Sequence, residues 1–162
     1  MLLLGIVAKK REIQAIRKEF EDKNIKIIDI TKESIKNLRN IKLDEIIFLQ
    51  NINLDKDEYK YMKEIISNAH YLIINGDIEI DILKKIDLQK QIKLITFGFN
   101  SKSTITISSV SSEKIIVYFQ RGIEKNNGEL IECQEKQIDG KNNKNIYHKL
   151  VVFIIKELHN RT

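Results

Sequence analysis

The sequence predicts an α/β fold: a three-layer, mostly parallel sheet flanked by helices, with a small antiparallel three-stranded side sheet near residues 103–138. Three observations predict it. The chain opens on "LLLGIVA", an unbroken apolar run of the kind found where a strand is covered on both faces. From there to Gly98, apolar strand-like runs alternate with stretches of helical period. After Gly98 the pattern switches to short segments of period two, separated by turn-like residues.

The elements follow in order. "KKREIQAIRKEFEDKN" places Ile13, Ile16 and Phe20 on one helical face with charges elsewhere. "IKIIDI" is the next strand, a short helix follows around Ile35–Leu38, and "DEIIFLQ" is a third strand. A helix over roughly 57–68 turns Met62, Ile65 and Ile66 inward. "YLIIN" leads to a short helix near Ile80–Ile86, and "KLITFG" closes the series. Strand–helix–strand repeated in this way gives parallel pairing through right-handed crossovers, a Rossmann-like arrangement over residues 1–99. "STITISSV", "EKIIVYFQ" and "GELIECQEKQI" then form the antiparallel meander. "NIYHKLVVFIIKELH" sets Ile146, Leu150, Phe153, Ile154 and Leu158 at helical spacing, so residues 143–160 form a last helix that packs back on the core. No linker or repeat divides the chain, and 1–162 is expected to be one domain.

Composition limits the function classes. With 42% hydrophobic and 31% charged residues, 162 residues bury a sizeable core. No run approaches the roughly 18 apolar residues a spanning helix requires, and "MLLLGIVA" lacks a basic leader, so no membrane association is expected. The single cysteine, Cys133, forms no internal disulfide, which suits a reducing cytoplasm. The net charge is +5, but lysines are dispersed among acidic residues with no basic stripe of interleaved aromatics, so nucleic acid is not an expected partner. His70, His148 and His159 show no ligand spacing.

The ordered motifs resemble the central ATP-binding domain of the Mur ligases. "NGD" at Asn75–Asp77 followed by "ITFGFNSKSTITISSV" is similar to that family's N-A-D-D-P, T-F-G and small sheet. "FLQNINLD" at Phe48–Asp55 resembles its N-I-x-x-D-H-L-D stretch, "IIDITKESI" its E-V-S-S stretch, and "KNIYHKLVVFIIKEL" its H-N-x-x-N-A-x-A-A helix. The resemblance implies roles for particular residues. Asn75 would read an adenine edge, Asp29 would stand for the magnesium-binding Glu, and Lys63, four residues after Tyr59, for the carbamylated lysine. Lys9 and Lys10 fall where the phosphate loop would lie. Each has a plain alternative. Lys63 suits a solvated helix position, Asp29 could cap the helix that follows, and Asn75–Gly76 is a natural turn pair.

Departures from the family pattern carry more weight. A phosphate loop needs glycines so that successive N–H groups point at the phosphates, then Lys and Ser/Thr. "GIVAKKREI" at Gly5–Ile13 has lysines but neither the glycine nest nor the hydroxyl. The D-H histidine is missing, N-A-D-D-P has become "NGDIE", and 162 residues leave no room for the family's flanking domains. The reading is therefore a non-catalytic, Mur-ligase-like module that binds a protein partner or itself, with a link to cell-wall synthesis implied by the resemblance alone. No cofactor is expected on this reading. The alternatives are an ATP- and magnesium-binding protein or residual ligase, and an oligomeric structural protein.

Overall fold

The computed structural model describes residues 1–21, 24–86, 92–141 and 145–160, and within them the fold class is the predicted one, mixed α/β with mostly parallel strand pairs in its first half. By contact density the chain forms two compact units, Met1–Ile74 with Ile78–Leu94, and Asn75–Asp77 with Ile95–Thr162.

In the first unit, β1 (Leu2–Val7) lies between β2 (Ile25–Asp29) and β3 (Glu45–Phe48), and β4 (Tyr71–Asn75) pairs with β3. All three pairings are parallel, giving the order 2-1-3-4. The crossovers are α1 (Lys10–Lys18), α2 (Ile35–Leu38) and α3 (Lys56–Ser67), while Asp81–Lys84 forms one 3-10 turn. The apolar runs explain themselves. On one face Val7, Ile46, Phe48, Leu72 and Ile74 pack with Ile35 and Leu38 of α2 and Met62, Ile65 and Ile66 of α3. Leu4, Ile6, Ile47 and Ile73, at alternate positions, are equally buried outside that cluster. Each fully buried aliphatic side chain contributes about 1.5–3 kcal/mol, and β1, β3 and β4 are largely buried on both faces, while β2 at the edge buries only Ile27 fully. Gly5 is required by this packing, because a Cβ there would stand 2.6 Å from the side chains of Ile30 and Leu43.

Helix α3, expected over roughly 57–68, starts one residue earlier, at Lys56, behind an Asp55 cap. The Asp55 carboxylate accepts from the backbone N–H groups of Asp57 (3.0 Å) and Glu58 (2.9 Å), and Glu58 returns the bond to the Asp55 N–H at 2.8 Å.

In the second unit, the end of β5 (Lys93–Gly98) pairs in parallel with the start of β6 (Ile105–Val110), only at Phe97↔Ile105 and Gly98↔Thr106. The connection is too short for a crossover, and β6 simply runs on past the end of β5. The predicted antiparallel meander is present as β6, β7 (Lys114–Phe119) and β10 (Glu135–Asp139), with a bulge between Ile107 and Ser109. The third predicted segment is divided: its first part supplies β9 (Leu130–Ile131), which pairs with β8 (Ile123–Glu124) in a separate ladder. Helix α4 (Ile146–Leu158) buries Leu150, Val151, Val152, Ile154, Ile155 and Leu158. Phe153 is half-buried, its ring 5.8 Å from that of Phe119. Residues 143 and 144 of the predicted helix lie outside the described residues, as do 22 and 23 at the end of the first helical stretch. No helix among the described residues is long and apolar enough to cross a membrane.

Candidate functional site

In a doubly wound sheet of order 2-1-3-4, a ligand crevice opens outside the carboxyl ends of the strands, where the order reverses between β1 and β3. Here that edge is occupied by the chain's own hydrogen bonds. Lys9 precedes α1 in extended conformation, and its backbone N–H donates to Glu12 Oε2 at 2.9 Å. A carboxylate thus sits at the helix N-terminus, a position that favours phosphates and other anions in helices generally. Across the reversal, Leu49 N–H donates to the Val7 carbonyl at 2.9 Å. Beyond it the Asn51 side chain is locked to Asp81, its Nδ2 donating to Oδ2 at 2.7 Å and its Oδ1 accepting from the Asp81 N–H at 3.0 Å.

Asp29 ends β2 and is held by Arg17, whose guanidinium donates to Oδ1 at 2.7 Å and to the Ile27 carbonyl at 3.3 Å. The neighbouring cap belongs to Thr31 and Ser34, which exchange bonds of 2.9 and 3.2 Å. Asp29 does not cap that helix with its side chain; only its carbonyl takes part, accepting from Ser34 Oγ at 3.1 Å. No group of three or more His, Cys, Asp or Glu side chains among the described residues is placed to hold a metal ion.

Asn75 lies in the second unit and is 2% exposed. Its Oδ1 accepts from the Asp77 N–H at 3.0 Å, the Asx turn that Asn-Gly favours. The turn aims Asp77 at the "TFGFN" segment. Asp77 Oδ2 accepts from the Phe99 N–H and Oδ1 from the Asn100 N–H, both at 2.7 Å, and Tyr147 Oη of α4 donates to Oδ2 at 3.0 Å. Gly98 has φ +141°, a conformation that glycine alone adopts without strain, and a Cβ there would run into the Asp77 carboxylate. The strand breaks at this glycine because the chain must swing around a carboxylate. Partial burial, followed by the bond to Asp77 and its charge, pushes the Tyr147 hydroxyl up to about 12.

Lys63 lies elsewhere. It lines a groove of about 460 Å³ in the first unit with Leu54, Lys56, Tyr59, Lys60, Lys85 and Ile86. None of Lys9, Lys10, Asp29 or Asn75 lines it. The five residues that the resemblance singles out are therefore not gathered in this groove. Sequence reading did not single out Asp77, Tyr147 or the other three lysines. Lys56, Lys60 and Lys63 could have been found from their i, i+4, i+7 spacing; the rest meet only through the fold.

The arrangement does not fit ATP and magnesium. Gly98 and Gly128 are the left-handed glycines of the structure, so "GIVAKKREI" forms no nest of N–H groups. Asp29 is taken by Arg17, and Lys63 has other lysines beside it in place of a carboxylate. No protein-family model matches the sequence, and no curated protein matches it.

Proposed function

We propose that the chain is a non-catalytic binding module of Mur-ligase-like ancestry that engages a protein partner, in keeping with the link to cell-wall synthesis that the resemblance implies. One observation carries this reading: the turn after β1, where the phosphates of a nucleotide would have to be cradled, is closed by Glu12 of the same chain. A ligand phosphate would have to displace that carboxylate and would gain no glycine nest in return. The burial of Asn75 and the Arg17–Asp29 pair support the same reading, since each occupies a group that nucleotide or cation binding would need free.

Calorimetric titration of the intact protein with MgATP, and separately with MgADP, tests it. No saturable heat at millimolar nucleotide is expected. Saturable binding weakened by Asn75→Ala would overturn the reading and return the chain to the nucleotide-binding proteins.

A further inference from the structure

The groove on α3 has a composition that the reading above leaves unexplained. Its lining is Leu54, Tyr59 and Ile86, all packed against the first unit's core, with Lys56, Lys60, Lys63 and Lys85 around them. Along α3 the first three lysines fall within an arc of about 60°, spread over about 10 Å of helix rise. No carboxylate among the described residues lies within ion-pair distance of any of the four. The nearby Glu58 is committed to Lys32, at 3.4 Å, and to the Asp55 N–H. With no carboxylate partner among the described residues, the four ammonium groups around an apolar floor repel one another. A negatively charged occupant with apolar surface relieves that repulsion and covers the floor.

We propose that this groove binds an acidic peptide segment of a protein partner, with an aliphatic side chain of that segment anchored on Leu54, Tyr59 and Ile86. The proposal rests on the binding-module reading and gives that partner its chemistry. Other anions fit less well. A compact phosphate needs convergent donors, whereas three of these lysines are strung along the helix and the lining offers no arginine, no serine or threonine and no free helix N-terminus, the last being capped by Asp55. A nucleobase would stack on an aromatic face, but the Tyr59 ring already has Lys85 Nζ 4.1 Å from its centroid. Carboxylates spaced along a peptide match charges spaced along a helix.

The test is fluorescence anisotropy of the intact protein at low salt with a short labelled peptide alternating Glu and Leu. Comparisons are an oligoglutamate of equal charge and inorganic pyrophosphate as competitor. Saturable binding of the Glu/Leu peptide is expected, weakened roughly tenfold by Lys60→Glu with Lys63→Glu and less by the corresponding Gln pair. The thermal melt should be unchanged, because both lysines are exposed. Oligoglutamate should bind several-fold more weakly. Equal binding of oligoglutamate, equal binding by the lysine variants, or displacement by equimolar pyrophosphate would each overturn the proposal. So would self-association lost in the variant without peptide binding, which would assign the groove to a second copy. MgATP titration separates the two readings. Nucleotide binding that survives the lysine changes defeats the non-catalytic reading and leaves the groove standing; peptide failure without nucleotide binding does the reverse.

Discussion

Two loops at strand ends, one in each unit, are both closed by a carboxylate, and they differ in where that carboxylate comes from. After β1, Glu12 reaches back three residues to the Lys9 N–H. After β5, Asp77 reaches across 22 and 23 residues to the N–H groups of Phe99 and Asn100, and across 70 to Tyr147. The first closure is a local helix cap whose loss only frays an end. The second ties three chain segments together, and the geometry of each segment depends on the other two. A local cap fills a potential ligand position at little cost; a distant one fixes a fold.

The contrast predicts a graded series. Gly98→Ala should cost the most, about 3 kcal/mol or more, because a side chain there must adopt a strained φ and displace the Asp77 carboxylate. Urea unfolding measures it, and a loss below that of Asp77→Ala would show that the loop tolerates another path. Asp77→Ala should cost about 2 kcal/mol by removing the acceptor of two backbone N–H groups and one hydroxyl, a figure kept low by the loop's exposure. The same series should show Tyr147→Phe costing about 1 kcal/mol, with the double variant less than additive.

Tyr147 supplies a pH test of the same tie. Its folded pKa, about 12, lies above the unfolded value, so its contribution is complete below about pH 10 and is lost as pH rises towards 12. Tyrosinate absorbance should lose one step near pH 12 on Tyr147→Phe, and Asp77→Ala should bring that step to lower pH. The smallest effect belongs to the local cap. Glu12→Ala should cost about 0.5 kcal/mol, and a loss as large as that of Asp77→Ala would erase the distinction between the two closures.

Much of this molecule was legible because its patterns are local. The both-face burial of β1 and β4 follows from runs such as "LLLGIV" and "YLIIN", and the helix expected over roughly 57–68 is α3. The missing glycine nest at Gly5–Ile13 was readable for the same reason, since a nest is built from consecutive residues. What the alternation could not reveal was that the segment after Gly128 would split between two ladders, β9 joining β8 and β10 joining β7. Period two specifies a strand and leaves its partner open.

By itself, then, the sequence determined the α/β class, the runs and periods from which the strands and helices are built, and the lack of a glycine nest at Gly5–Ile13. Each of these depends on residues within a turn or two of one another. Only tertiary structure decided that Asp29 belongs to Arg17, that Asn75 is buried, that Lys85 joins the lysines of α3, and that Asp77 meets Tyr147. Those contacts join residues between 12 and 70 positions apart. A side chain's partner at such separations is set by where the packed core delivers it, and no short-range period encodes that.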